Sequence, residues 1–115
     1  MTLEELYKKT GGSLQDVLAR IPSEKILEKF ARKYLEDGSF RQLQEAVQAK
    51  DWESAFRAAH TLKGVAQNLG FERLGKTASE LTEALRGGKA LTDEKLLENV
   101  AAAQKELSDA LNGLD

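Results

Sequence analysis

The sequence predicts an all-α fold: an antiparallel up-down-up-down four-helix bundle with two short N-terminal helices. Three observations support this prediction. The chain has a single proline and is rich in Ala, Leu, Glu, Lys and Gln, which favour helix. Apolar residues recur every three or four positions, and no segment shows the alternation typical of a strand. Short turns join the helical segments, which favours antiparallel packing of neighbours.

A length of 115 residues is typical of one domain with a single core. We predict one domain over residues 1–115, with the short helices in 1–22 and the four-helix bundle in 23–112. The Gly11-Gly12 pair separates the short helices, and Ser13 is placed to cap the second. At the next boundary, either Ser23 is the N-cap of the following helix or Pro22 is its first residue.

In the first part of the bundle the sequence predicts two helices, which are separated by Asp37-Gly38. Ser39 and Gln42 have the spacing of a capping box, which would open the second helix at Ser39. In the first helix five apolar residues are expected to face the core: Ile26, Leu27, Phe30, Tyr34 and Leu35. In the second helix the predicted apolar face consists of Phe40, Leu43, Ala46 and Val47.

The central helix is predicted between Asp51, a suitable N-cap, and Gly70, which suits the left-handed position after a helix. Its apolar residues recur at spacings of four, three, four and three, and these are Ala55, Ala59, Leu62, Ala66 and Leu69. Trp52 and Phe56 add large aromatic surfaces. We therefore expect this helix to lie at the centre of the bundle.

Two further helices complete the prediction. One follows Gly70 and ends at Gly87-Gly88, and the last opens at Thr92 as its N-cap. Their apolar seams are Leu74, Ala78, Leu81 and Leu85 in the first, and Leu96, Val100, Ala103, Leu107 and Leu111 in the second. The tail, residues 113–115, is expected to fray.

Composition excludes several classes of function. A net charge of −2 provides no field that would attract nucleic acid or anionic lipid. Zinc and iron sites need three or four ligands, and a chain with one histidine and no cysteine offers too few of the favoured ones. The N-terminus lacks the apolar segment of a signal peptide, and no apolar run reaches the ~18 residues of a membrane span. We expect a cytoplasmic protein without a metal site.

His60 is the only histidine and lies within the central helix. At about 100° per residue it stands roughly 140° from the centre of the apolar seam, so it is expected to face solvent or a partner. Lys63, Gly64 and Gln67 follow on the same side of the helix. Gly64 is unusual because glycine destabilises a helix interior. It indicates either a close packing contact with another helix or clearance for a large group approaching His60.

The charges around His60 favour phosphoryl chemistry over acid–base catalysis. Arg57 and Lys63 flank it at i−3 and i+3, and no carboxylate occupies i±3 or i±4. Nearby positive charge favours the neutral imidazole, which is the nucleophilic form. The same cations would attract a phosphoryl group on the ring, and Gln67 is placed to hydrogen-bond it. The alternative is that Arg57, Lys63 and Gln67 are ordinary surface residues.

These residues resemble a known family. His60, Lys63 and Gly64 match the H-x-x-K-G core of histidine-containing phosphotransfer (HPt) domains, and Leu62 occupies the family's apolar position. Val65 departs from the family's frequent Ala or Ser, although it is also small and apolar.

The resemblance extends beyond this motif. Residues 67–70, Gln-Asn-Leu-Gly, are similar to the end of the family's helix, and the helical arrangement resembles the family from about 24 to 111.

The resemblance implies that His60 is phosphorylated on its ring and exchanges the phosphoryl group with an aspartate of a receiver domain. Lys63 would then assist the phosphoryl oxygens, and Gly64 would permit docking. Mg²⁺ and the acidic pocket would belong to the partner, so no cofactor is expected in this chain. We find no P-loop or kinase signature, and we expect a phosphoryl carrier without its own ATP site rather than an enzyme.

The implied partners are receiver domains of response regulators, of hybrid histidine kinases, or of both, and the protein is expected to be a monomer. Ala58 is a candidate apolar contact beside His60. On the helix of residues 71–86, the candidates for the docking surface are Arg73, Lys76, Thr77 and Glu80. Two other functions remain open: a non-phosphorylated binding adaptor with the same fold, and a structural helical domain that dimerises through an apolar face.

Overall fold

Seven α-helices and one short 3-10 turn make up the computed structural model, which describes residues 1–115 and contains no strand. The all-α class is therefore confirmed. The helices are α1 (Leu3–Lys9), α2 (Leu14–Leu18), α3 (Glu24–Lys33), α4 (Ser39–Gln48), α5 (Trp52–Leu69), α6 (Glu72–Leu85) and α7 (Glu94–Asn112), and the 3-10 turn (Tyr34–Glu36) follows α3.

Helices α4 to α7 pack consecutively, each against the next, and α5 has the most extensive contacts of all. The side chains that meet across α5 and α6 show that these two helices run antiparallel. Gln67, late in α5, lies beside Gly75, early in α6. Phe56, early in α5, lies under Arg86, at the end of α6. Residues 23–112 thus contain α3 in addition to the four consecutive helices.

The short helices cover the C-terminal end of α5. The Tyr7 hydroxyl of α1 donates a hydrogen bond of 2.6 Å to the backbone carbonyl of Leu69. The Tyr7 ring also stacks on Phe71, with centroids 5.9 Å apart. Helix α1 packs against α7 as well. These contacts fix the end of the central helix from outside the bundle.

Local sequence signals correctly predicted four helix ends. The side chains of Ser13, Ser23 and Asp51 each accept a backbone N–H of the first turn, at 3.4, 3.2 and 3.2 Å. Ser23, and not Pro22, is therefore the boundary of α3. Gly70 ends α5 in the left-handed conformation, with φ of 74°.

Two predicted caps are wrong by one residue. Helix α4 begins at Ser39 itself, with Gly38 as its N-cap, so the capping box does not form. The Asp37 carboxylate instead accepts the Ser39 N–H at 2.8 Å. Helix α7 is capped by Asp93 rather than Thr92, through a 3.0 Å bond from a first-turn N–H. In both cases a nearby carboxylate provides the acceptor, and negative charge is favoured at a helix N-terminus.

The core follows the predicted seam of α5, in which Ala55, Ala59, Leu62 and Ala66 are fully buried. Trp52 and Phe56 are only half-buried and pack on the edge of this core. Placing four small or medium side chains at the centre of α5 allows neighbouring helices to approach it closely.

Helix α3 departs from the prediction. Leu27 and Tyr34 are buried, but Ile26, Phe30 and Leu35 keep 49, 45 and 43% of their surface exposed. The expectation that all five residues face the core was therefore wrong. The physical reason is that α3 touches the bundle on one side only, mainly at α5, so part of its apolar face has no neighbour.

The tail was also predicted incorrectly, because it is packed and hydrogen-bonded. Leu114 is buried in the core cluster. The Asp115 N–H donates to the carbonyl of Met1 at 3.0 Å, and the Met1 ammonium donates to the carbonyl of Gly113 at 2.7 Å. No helix in the chain has the length and apolar character needed to cross a membrane.

Candidate functional site

His60 is exposed on the outer face of α5, as its position relative to the seam predicts. The neighbouring Ala59 and Leu62 are fully buried, so they fix the rotation of the helix about its axis. The imidazole consequently projects away from the core. Its surroundings are built from the same face of α5 and from the C-terminal part of α6.

Gly64 leaves open space one helical turn beyond His60. Apart from its chain neighbours and the backbone of its own helix, a Cβ placed at Gly64 would have no atom within 4 Å. The glycine therefore does not serve a close contact between helices, which removes one of its two interpretations. The exposed backbone at this position gives a large group unobstructed access to the imidazole from that side.

An aromatic ring lies on the opposite side of His60 along the helix. Phe56 precedes it by one turn, and the two rings stack with centroids 6.0 Å apart and planes inclined by 17°. Arg86, at the end of α6, places its guanidinium carbon 5.4 Å from the centroid of Phe56. Helix α6 thereby contributes to the environment of His60 through an intervening side chain.

Glu83 fixes Arg86 and adds a carboxylate to the site. The Arg86 Nε and Nη2 atoms each donate to a different carboxylate oxygen of Glu83, both at 2.9 Å. This hydrogen bonding lowers the pKa of Glu83, and the positive charges of Arg86 and Lys63 act in the same direction. No carboxylate was expected beside His60 because none lies at i±3 or i±4 in α5. Glu83 comes from the neighbouring helix.

The three predicted phosphoryl-assisting residues are placed differently. Lys63 is half-buried and belongs to the group of charges around Glu83. Arg57 is directed toward the start of α5, with its guanidinium 3.3 Å from the Ser54 hydroxyl and 3.8 Å from a Glu53 carboxylate oxygen. Gln67 packs beside Gly75 of α6.

Most of the chain matches the model of one known protein family. The family model described as Hpt domain matches residues 25–115. The chain belongs to the Hpt domain family. This membership supports a phosphotransfer role in two-component signalling, with signalling partners such as receiver domains. No curated protein and no solved structure matches the chain.

Within this Hpt domain, the four α6 residues predicted for docking line one open depression beside α7. Arg73 forms an ion pair with Glu106 of α7, and the Thr77 hydroxyl donates to carbonyls of its own helix. Lys76 and Glu80 also line a second depression, which includes Gln67 of α5. Ala58 is buried, which contradicts its proposed role as an exposed contact, because it faces α4.

Sequence reasoning missed three residues beside His60 in the Hpt domain: Phe56, Glu83 and Arg86. Phe56 was visible at i−4 but was interpreted as core because it is large and apolar. Glu83 and Arg86 lie 23 and 26 positions after His60, and only the packing of α6 against α5 brings them near. The only sequence signal for these two residues was their spacing at i and i+3. That spacing indicates no more than an ion pair on the helix surface.

A second surface of the Hpt domain lies between α3 and the C-terminal half of α5. It is an open groove of about 560 Å³, with five apolar residues among those that line it. The apolar members include Ile21, Phe30, Val65 and Leu69. No group of three or more His, Cys, Asp or Glu side chains in the domain is arranged to hold a metal ion.

Proposed function

We propose that this Hpt domain carries a phosphoryl group on His60 in a two-component phosphorelay. The group would come from the aspartate of a receiver domain, or from a histidine kinase, and would pass to another receiver. The observation that carries the proposal is the free space around Gly64, which leaves the exposed His60 accessible on the helix face shared with Lys63.

The transfer step is a nucleophilic substitution at phosphorus. The lone pair of an unprotonated imidazole nitrogen forms the N–P bond, and the P–O bond to the receiver's aspartate breaks. The bonding electrons return to the aspartate as a carboxylate, while the remaining ring proton stays on the other nitrogen. An imidazole that projects from the helix into free space permits the in-line approach this step needs.

Lys63 is the residue best placed to assist the transferred group. It follows His60 by three positions, so the two side chains are neighbours on the helix surface. Its ammonium would attract the phosphoryl oxygens through charge-assisted hydrogen bonds. Arg57 and Gln67 are weaker candidates, since Arg57 already contacts Glu53 and Ser54 and Gln67 packs on α6.

The domain would act as a carrier, not as an independent enzyme. His60 is the only residue proposed to take part in bond formation, and the resemblance assigns Mg²⁺ and the acidic pocket to the receiver. The purified protein is therefore expected to show no ATP turnover with Mg²⁺. A cytoplasmic location and a monomeric state, both expected from the sequence, are part of this proposal, and light scattering over a range of concentrations tests the latter.

Receiver domains are the proposed partners because the Hpt resemblance implies a partner with an acidic pocket. The acidic pocket of a receiver would favour Lys63 beside His60. The exposed Phe30 of α3, which lines an open groove together with Val65 of α5, would add apolar area to the contact. Contacts of this transient kind commonly bury less than about 1,200 Å² in total.

The test is phosphorylation of the purified protein by a phosphorylated receiver domain, followed by intact-mass measurement. Wild type should gain one phosphoryl group that is acid-labile and base-stable, and His60→Gln should gain none. Because the chain has one histidine, the loss of this acid-labile, base-stable label in His60→Gln identifies its position.

A folded wild-type protein that stays unlabelled by several receivers and by a small-molecule phosphodonor would contradict the proposal. The chain would then be a binding adaptor with the same fold. In that event receiver binding should survive in His60→Gln, which titration calorimetry measures directly.

A further inference from the structure

The Phe56 ring that stacks on His60 is restrained by contacts on two sides. On one side Phe56 packs against the core of the bundle, since it is half-buried and belongs to the shell of the core cluster. On the other side the Arg86 guanidinium lies 5.4 Å from the ring centroid, a cation–π distance. The two hydrogen bonds from Arg86 to Glu83, both 2.9 Å, restrict the guanidinium in turn.

This arrangement restrains a side chain that would otherwise move freely. An exposed histidine rotates about two side-chain bonds, and exposed side chains change rotamer on the picosecond to nanosecond timescale. Offset stacked rings with centroids between about 4.5 and 7 Å attract each other, and the pair here is 6.0 Å apart. The restraint acts on the face of the imidazole and leaves its edge, which carries the nitrogen atoms, free.

We propose that Phe56, supported by the Arg86–Glu83 pair of α6, is a positioning residue that fixes the plane of the His60 imidazole for phosphoryl transfer. The inference rests on the proposed function of His60. A ring held in one plane presents its nitrogen along one direction, so less orientational freedom is lost when the phosphorus atom approaches. Phe56 does not touch the transferred group and takes no part in bond formation.

The first experiment measures the motion of the His60 ring without any partner. Because His60 is the only histidine, its ring carbon–proton signals are unambiguous in the NMR spectrum of the folded protein. We expect the order parameter of the His60 ring to fall in Phe56→Leu and to stay at the wild-type value in Phe56→Tyr, which keeps an aromatic ring. Arg86→Met should lower the order parameter by a smaller amount.

Phe40→Leu is the matched control. Phe40 is also half-buried and packs on the core cluster, but it lies in α4, and the ring that stacks on His60 is that of Phe56. It undergoes the same chemical change as Phe56→Leu and reports any general loosening of the fold. We expect the order parameter of the His60 ring in Phe40→Leu to equal that of wild type.

The second experiment separates positioning from docking by single-turnover phosphoryl transfer at increasing receiver concentration. Phe56→Leu should lower the saturating first-order rate about three- to tenfold, the range that corresponds to loss of an aromatic pair. The receiver concentration at half-saturation should not change. Phe56→Tyr should restore the rate.

Two results would overturn the inference. One is an unchanged His60 order parameter in a folded Phe56→Leu protein, which is decisive even if no receiver phosphorylates the wild type. The other is a normal first-order rate combined with a raised half-saturating concentration, which would make Phe56 a docking residue. An effect of Phe56→Leu without any effect of Arg86→Met would remove the α6 pair from the inference.

Discussion

The backbone of Gly70 lies directly against the side chain of Val17, so that a Cβ at Gly70 would overlap Val17 Cγ2. The same glycine has φ of 74°, a conformation that side-chain-bearing residues avoid. Gly70 therefore performs two tasks at once. It ends α5, and it allows the short α2 helix to pack over the end of the helix that carries His60.

Gly70→Ala is accordingly expected to destabilise the protein strongly. The left-handed conformation and the overlap with Val17 each contribute, and together they should lower the free energy of unfolding by at least about 2 kcal/mol. Urea unfolding followed by circular dichroism measures the change. A loss below about 0.5 kcal/mol would show that α2 moves aside without penalty, contrary to the tight contact described above.

Gly64→Ala is expected to have the opposite effect on stability. A Cβ at Gly64 meets no atom within 4 Å outside its chain neighbours and its own helix backbone, and alanine favours the helix interior. The free energy of unfolding should therefore rise by about 0.5–1 kcal/mol. The same variant should slow phosphorylation by a receiver, because the methyl group occupies the clearance beside His60.

The pair of measurements on Gly64→Ala distinguishes its two possible roles. Increased stability with slower transfer is the signature of a glycine retained for access. Decreased stability would mean that Gly64 serves packing after all. Increased stability with an unchanged transfer rate would show that the open space beside Gly64 is not needed for docking of a receiver.

The contrast between these glycines indicates what sequence can predict in this fold. Gly70 was predicted from local rules, because a glycine after the last seam residue suits a helix end. The N-caps at Ser13, Ser23 and Asp51 were predictable for the same reason. Each depends on atoms within a few residues of the chain, and the sequence contains that information completely.

Features that depend on neighbouring helices were not predictable in the same way. The exposure of Ile26, Phe30 and Leu35 follows from the absence of a neighbour along part of α3, and an amphipathic pattern does not indicate whether its apolar face is covered. The contribution of Glu83 and Arg86 to the His60 site depends on the alignment of α6 with α5. That alignment is determined by packing of the whole core.

The two incorrectly predicted N-caps have a local cause. Ser39 and Thr92 are both acceptable N-caps, and each has an aspartate within two positions. Carboxylates interact more favourably with the N-terminal end of a helix than neutral hydroxyls do. Sequence preferences alone locate such an end to within one or two residues, which agrees with the errors found here.

Lys63→Gln is expected to slow phosphoryl transfer from a receiver to His60 by about tenfold, which corresponds to loss of one hydrogen bond to a charged group. The uncharged amide keeps part of the side-chain volume, so the stability of the fold should change little. Rapid-quench kinetics with a saturating receiver gives the rate. The matched control is Lys105→Gln, which removes an exposed lysine of α7 whose ammonium donates to Asp109 of the same helix at 2.9 Å.

Comparison of these two lysine variants gives the prediction its specificity. If both variants slow transfer equally, the effect is one of net charge and not of position. If neither does, Lys63 is an ordinary surface residue. Arg57→Gln should have a smaller effect than Lys63→Gln, because the Arg57 guanidinium contacts Glu53 and Ser54.

The capping of α5 should make stability depend on pH. The Asp51 carboxylate accepts the Ser54 hydroxyl at 2.7 Å and the Ser54 N–H at 3.2 Å. The Ser54 hydroxyl, followed by its N–H, lowers the pKa of Asp51 below its ordinary value. A carboxyl group with a lowered pKa in the folded state stabilises that state at pH values above its unfolded pKa of about 3.9. This contribution is lost as the pH falls through the lowered, folded-state pKa.

We therefore expect Asp51→Ala to be less stable than wild type at neutral pH, with a difference that narrows on acidification. Urea unfolding at about pH 7 and about pH 2.5 measures both differences, since the lower pH lies below the unfolded pKa of about 3.9, where the contribution of the charged cap declines. Asp51→Asn is the control, because its amide oxygen still caps the helix but does not titrate in this range. The stability difference between Asp51→Asn and Asp51→Ala should be the same at both pH values. If the difference between wild type and Asp51→Ala were equally constant, the charged cap would make no contribution to holding the helix that presents His60.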